Sequence, residues 1–237
     1  MGYQSTFKRY ELKFLLTTEQ QKSIEAAMTS HMSADQYGLT TIRNIYYDTD
    51  DFRLIRASIE RPVYKEKLRL RSYQQIKAGD PVFVELKKKY NHVVYKRRLA
   101  MEEDNALRWL NQADRPPAKT QISSEIDYFL QFYKTLKPKV FLSYDRVAWC
   151  CKDGSDFRVT FDRNLQFRSD GLSLALPPGG TSLLADDSVL MELKVFGGIP
   201  LWMANALTEN RLYKTSYSKY GNAYRILLEK GEIIHAR

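Results

Sequence analysis

The sequence predicts an α+β domain whose antiparallel sheet is wide enough to close into a barrel, and three observations carry that prediction. About eight stretches alternate apolar and polar residues with the period of a strand. Helical patterns are inserted between those strands, so helices are available to cover one face of the sheet. No repeat, low-complexity tract or long linker divides the 237 residues, and the chain reads as one domain, residues 1–237. At 43% hydrophobic and 13% aromatic there is material for a packed core, which excludes intrinsic disorder. The sequence holds no apolar run of roughly 18 residues, so no membrane-crossing helix is expected. The first residues carry no apolar stretch of the kind a secretory signal needs.

Residues 7–16 alternate and read as the first strand. Thr17 precedes Gln20 at the spacing of a capping box and opens a helix expected to reach residue 32. Residues 41–48 form the second strand, with a short helical piece at 52–59. Three strongly alternating strands follow at 64–73, 82–90 and 92–101. Helical patterns at 105–112 and 124–136 flank the break at Arg115-Pro116-Pro117. Strands resume at 139–149, 157–165 and 189–195, the last two separated by a Leu/Pro/Gly/Ser loop at 169–187. Residues 200–210 and 218–228 read as closing helices.

Charge narrows the function classes. With 37 Lys plus Arg against 28 Asp plus Glu the net charge is +9, which points to an anionic partner: nucleic acid, an anionic membrane or a phosphate-rich small molecule. Sorting each strand by its two faces shows where the cations go. Arg9, Glu11 and Lys13 share one face of the first strand. Lys65, Lys67, Arg69 and Arg71 share another, opposed by Glu66, Leu68 and Leu70. Glu85, Lys87 and Lys89 oppose Val82, Val84 and Leu86; Lys96 and Arg98 oppose Tyr95, Arg97 and Leu99. Arg158, Thr160 and Asp162 oppose Phe157, Val159 and Phe161, while Glu192 and Lys194 oppose Met191, Leu193 and Val195. Arg146 lies in the remaining long strand.

An amphipathic sheet with its polar face in water would show the same alternation. The helices, however, suffice to cover the apolar face, and in a barrel with helices outside the cationic face becomes the lining. Such a lining repels itself when empty and calls for a polyanionic ligand, or for bulk water and counter-ions. Arginine suits phosphate oxygens bidentately and lysine as a point charge, and the sparse carboxylates suit a divalent cation. His31, His92 and His235 show no metal-ligand spacing and read as surface residues. Cys150 and Cys151 are adjacent, cannot frame a fold, and suggest a reducing, cytoplasmic location. Gly197-Gly198-Ile199-Pro200 reads as a turn into a helix, and Tyr46-Tyr47 as packing residues.

These residues resemble a known family. Arg9-Tyr10-Glu11-Leu12-Lys13-Phe14, Ile45-Tyr46-Tyr47-Asp48-Thr49 and Lys67-Leu68-Arg69-Leu70-Arg71 look like the VTC domain, the polyphosphate polymerase domain of the vacuolar transporter chaperone complex. Phe83-Val84-Glu85-Leu86-Lys87, Tyr144-Asp145-Arg146, Phe157 to Asp162, Met191-Glu192-Leu193-Lys194 and Tyr217-Ser218-Lys219-Tyr220 continue the series in order, so the resemblance spans residues 7 to about 228. It implies the triphosphate tunnel (CYTH-like) fold, an eight-stranded antiparallel β-barrel with helices packed outside and a C-terminal helix near one tunnel mouth.

The resemblance also implies roles. Lys13, Arg69, Arg71, Lys87, Arg146, Arg158 and Lys219 would be catalytic, holding phosphates in the tunnel. Arg9, Lys67, Lys96, Arg98 and Lys194 would add phosphate contacts. Glu192 would bind a divalent metal, Mn²⁺ or Mg²⁺, with Glu11 or Glu85 assisting. Arg9 stands where the wider superfamily's Glu-x-Glu-x-Lys begins, a departure that fits the VTC branch and tilts away from hydrolysis. The implied activity moves the terminal phosphoryl of ATP onto inorganic polyphosphate, in a tunnel open at both ends. A membrane protein would receive the polymer, and the location would be cytoplasmic or membrane-peripheral. A tripolyphosphate or nucleoside triphosphate hydrolase and a noncatalytic polyphosphate-binding module are the alternatives. No specific nucleic-acid partner is expected, because such a surface would expose its cations among stacking aromatics.

Overall fold

In chain order the elements are β1 (Tyr10–Thr17), α1 (Thr18–Met28), β2 (Met32–Ala34), β3 (Thr40–Asp48), α2 (Arg53–Ile59), β4 (Tyr64–Ser72), β5 (Pro81–Tyr90) and β6 (Val93–Glu102). They continue with α3 (Glu103–Leu110), α4 (Gln121–Tyr133), β7 (Lys137–Cys151), β8 (Arg158–Arg168), β9 (Thr181–Ser182), β10 (Ser188–Val195), α5 (Leu201–Glu209), β11 (Lys214–Thr215) and α6 (Lys219–Glu229). The computed structural model describes residues 10–60, 62–91, 93–112, 114–116 and 118–233; Arg9, His92 and His235 lie outside them. Thr17 caps α1 as its spacing predicts, accepting from the Gln20 amide at 3.2 Å while the Thr17 amide donates to Gln20 Oε1 at 2.9 Å. The helix ends at Met28, short of the expected residue 32, because Met32–Ala34 pairs with Trp149–Cys151 as β2. A short piece of the expected loop, β9, pairs with β8.

The eight expected strands are the long ones, and all pairings are antiparallel in the order β11-β1-β10-β8-β7-β3-β4-β5-β6. A barrel closed by backbone hydrogen bonds is not formed: among the described residues the path ends at β11 and β6. The reason is local. β11 takes the free edge of β1 at Lys13 and Phe14, so no other strand can pair there. Side chains bridge the seam instead: Lys87 on β5 donates to Glu11 on β1 at 2.6 Å, and Lys67 on β4 donates to Ser218, just beyond β11, at 3.2 Å.

Three apolar clusters hold this curled sheet. Leu68, Leu70, Val84 and Leu86 pack under Trp109 and Leu110 of α3 and Ile126, Phe129 and Leu130 of α4. Phe14, Val159, Phe161, Met191 and Leu193 pack under Ile24 and Met28 of α1 and Met203 and Leu207 of α5. Burying each such side chain contributes roughly 1.5–3 kcal/mol, so the helix cover fixes which sheet face is outside. The third cluster lies inside the curl. Ile42, Tyr46, Val140, Leu142 and Leu190 pack against Tyr220, Ala223, Tyr224 and Leu227 of α6. Ile42 and Tyr46 flank Asn44 on its own face, and Tyr144, Leu142 and Val140 are the cross-strand partners of Ile42, Asn44 and Tyr46. The C-terminal helix therefore covers this part of the inner face with apolar packing. The polar lumen lies along the rest of that face.

Candidate functional site

Three groups of charges line the lumen, each placed by strand alternation. In the first, Glu85 of β5 is 1% exposed and takes charge from two neighbouring strands. Arg69 Nε donates to its Oε2 at 2.8 Å, Arg98 Nε to its Oε1 at 2.6 Å, and Lys96 Nζ lies 2.7 Å from Oε1. Arg71 stands 3.8 Å away, while donating to Asn44 Oδ1 at 2.8 Å and to the Tyr144 hydroxyl at 3.1 Å. Burial alone would raise the Glu85 carboxyl, but Arg71, Arg69, Lys96 and Arg98 hold it well below the usual carboxylate range. Burial pushes Lys96 down to about 7 against the pull of Glu85.

The second group joins β7, β8 and α6. Arg146 grips Asp162 bidentately at 2.6 and 2.7 Å, and Lys219, the first residue of α6, donates to the same carboxylate at 2.6 Å. Asp162 is fully buried; desolvation works against its charge, yet Arg146 and Lys219 bring it down to about 2. Both cations lie over the Tyr144 ring, at 5.1 and 4.5 Å from its centroid.

The third group draws on β1, β10, β4 and β5, and apart from Lys87 with Glu11 at 2.6 Å its ion pairs are long. Glu192 meets Lys13 at 4.0 Å and Lys194 at 3.9 Å, the outer limit of ion pairing. Lys13 Nζ instead donates to the Tyr217 carbonyl at 2.8 Å. Burial pushes Lys67 down to about 7, with Lys13, Lys65, Lys87 and Arg69 pushing the same way. Burial likewise carries Lys194 down to about 8 despite Glu192. Glu11 and Glu192 each act on the other, and burial opposes the charge of both; Lys87 keeps Glu11 low, while Lys194, Lys13 and Arg146 keep Glu192 well below its ordinary value.

Of the residues singled out from the sequence, Lys13, Lys67, Lys87, Lys194, Glu11 and Glu192 come together in the third group. Arg69, Arg71, Lys96, Arg98 and Glu85 form the first, and Arg146 and Lys219 belong to the second. Arg158 is exposed at the start of β8, opposite Lys194 and Cys150, on the face that carries Thr160 and Asp162. Sequence reading placed Asp162 on the polar face without giving it a role, and missed Asn44, Tyr46 and Tyr144. Tyr46 packs on Tyr220 with ring centroids 4.6 Å apart and also accepts from Arg69 at 3.1 Å, so it is both packing and lining. A polar residue amid the apolar run of β3, Asn44 between Ile42 and Tyr46, was the available signal.

A divalent cation fits the third group on the chemistry of its donors. No cluster of three or more His, Cys, Asp or Glu side chains occurs among the described residues, so protein alone cannot complete a shell. Glu192 and Glu11 supply two carboxylates, and Mg²⁺-like ions commonly use one or two carboxylates with phosphate oxygens and water completing the shell. The Thr160 hydroxyl, cross-strand from Glu192, is buried without a hydrogen-bond partner among the described residues, which leaves a further oxygen beside that carboxylate. Glu85 differs, since four cations already crowd its two oxygens.

The VTC domain profile matches residues 8–228. The chain belongs to the VTC domain family. Among curated proteins none matches this VTC domain. Solved structures share its fold: a candidate adenylate cyclase from Bacillus halodurans is 15% identical with a TM-score of 0.57, covering 91% of this chain and 96% of its own. A candidate adenylyl cyclase from Hippeastrum, described as revealing a dominant triphosphatase activity, is 14% identical with a TM-score of 0.52, covering 95% and 97%. Both support the triphosphate tunnel fold for this VTC domain. Among its described residues no helix is long and apolar enough to cross a membrane.

Proposed function

We propose that this VTC domain is an ATP-dependent polyphosphate polymerase, transferring the terminal phosphoryl group of ATP to a growing inorganic polyphosphate chain. The single observation that carries the reading is Lys67: a half-buried lysine, cross-strand from Lys87, whose largest charge interactions are all with cations, inside a lumen where cations outnumber carboxylates. Only a polyanion repays that arrangement. Membership in the VTC family and a fold shared with a protein described for triphosphatase activity support the same substrate class.

Phosphoryl transfer rests on in-line positioning and on neutralising the equatorial oxygens. Arg69, Lys96 and Arg98 are pre-aimed by Glu85, and Arg146 and Lys219 by Asp162, so little reorganisation is needed when phosphates arrive. Lys13, Lys67, Lys87 and Lys194 hold donor and acceptor chains against their mutual repulsion. The acceptor oxygen is already anionic, so no side chain need act as a base. Glu192, with Glu11 and Thr160, would hold Mn²⁺ or Mg²⁺, which when bound supplies charge to the transferring phosphoryl and the leaving ADP. A cytoplasmic location and a membrane partner that receives polymer belong to the same proposal.

Purified protein incubated with ATP and Mn²⁺ or Mg²⁺ is expected to yield ADP and an acid-labile phosphate polymer. Free phosphate as the sole product would make it a hydrolase. Tight polyphosphate binding without turnover would make it a binding module.

A further inference from the structure

Thr160 is the one inward-facing polar side chain beside Glu192 that the second and third charge groups leave unused. It is 3% exposed, and its hydroxyl is buried without a hydrogen-bond partner among the described residues. An unpaired buried hydroxyl costs about 1–3 kcal/mol, a cost that a bound ligand would offset. Alternation places it in the lumen: Asp162, two residues on, faces Arg146 and Lys219, while Val159 and Phe161 lie in the outer apolar cluster.

Its neighbours in the row are Glu192 on β10 and Ala148 on β7. Directly opposed strand residues have Cβ atoms about 4.5–5.5 Å apart, so the hydroxyl and the carboxylate can reach one small ion. Ala148 offers a methyl group and no competing donor. Of the flanking rows, one sets Arg158 opposite Lys194 and the other pairs Arg146 with Asp162. The row itself runs Lys13–Glu192–Thr160–Ala148, with Lys13 4.0 Å from the carboxylate and no cation on the Thr160 side, so two oxygens stand next to each other.

Resting on the reading above, we propose that Thr160 Oγ1 is an oxygen ligand of the divalent cation at Glu192, which makes the pair a two-point seat rather than a single carboxylate. The hydroxyl donates no hydrogen bond to Glu192 and is free to turn a lone pair to the ion. Phosphate oxygens and water would complete the shell.

The test separates metal from phosphate. Thr160→Val keeps the branched shape that suits a strand and removes the oxygen; Thr160→Ser keeps the oxygen. Protein-bound Mn²⁺ is read by electron paramagnetic resonance with tripolyphosphate present, and tripolyphosphate affinity is read separately in EDTA. Thr160→Val is expected to weaken Mn²⁺ about tenfold or more, Thr160→Ser to keep most of the affinity, and both to bind metal-free tripolyphosphate as the parent does. Unchanged Mn²⁺ affinity in Thr160→Val overturns the proposal. So does a loss of metal-free tripolyphosphate affinity, which would make Thr160 a phosphate contact, and so does a parent protein that holds no Mn²⁺. The polymer assay judges the polymerase reading independently: free phosphate instead of polymer, with the Mn²⁺ results as expected, would sink that reading and leave the Thr160 ligand standing.

Discussion

Two walls of the same lumen solve the problem of buried charge differently. Around Glu85, cations from β4 and β6 converge on one fully covered carboxylate, and Arg69 and Arg98 rise above their ordinary pKa values despite burial. Lys67 faces mostly other cations while Lys194 has Glu192 at 3.9 Å, and burial pushes both down toward neutrality. The difference separates architecture from receptor. On the Glu85 wall four cations share one carboxylate that keeps them organised without ligand, whereas Lys67 has no carboxylate among its main charge partners and is the position an anion would complete. Arg71 sharpens the point: singled out from the sequence as a phosphate residue, it is 5% exposed and spends its donors on Asn44 and Tyr144.

The strongest way to break this comparison is Glu85→Gln. It leaves buried cations without their counter-charge and is expected to cost about 3–5 kcal/mol in chemical denaturation. Tripolyphosphate should restore more stability to it than to the parent protein; equal restoration would mean that Glu85 is not the internal counter-ion. Glu192→Gln probes the opposite side. Turnover is expected to fall by about 10²–10³ while polyphosphate binding holds or tightens, and an unaffected rate would remove Glu192 from the metal site.

A third prediction uses pH. In the free protein Lys67 loses its proton near 7 and Lys194 near 8, well below an unfolded lysine. A bound polyanion raises both, so binding takes up protons and affinity declines as pH rises through that window. Calorimetry in buffers of different ionisation enthalpy measures the uptake. Lys67→Met should reduce it, and an undiminished uptake would place the titrating groups elsewhere. The smallest effect is expected at Tyr220→Phe, which removes the hydroxyl that donates to buried Asp48 at 3.0 Å. A loss of about 1 kcal/mol with normal turnover is expected; a large loss of turnover would tie the α6 packing to the chemistry.

The sequence by itself determined the strands, the faces of those strands and the family. Period-two alternation is a local property, so the grouping of Lys67 with Arg69 and of Glu85 with Lys87 needed no coordinates. The capping box at Thr17 and Gln20 was legible for the same reason. The tertiary structure alone decided which inward charges meet. Glu85 draws in Arg98, and Asp162 draws in Lys219 from 57 residues away, because register and curl, not spacing, set those distances. It also decided that β11 occupies the edge of β1 and that α6 packs on the inner face of the sheet, since both depend on where the chain's last elements find unpaired backbone and uncovered apolar surface.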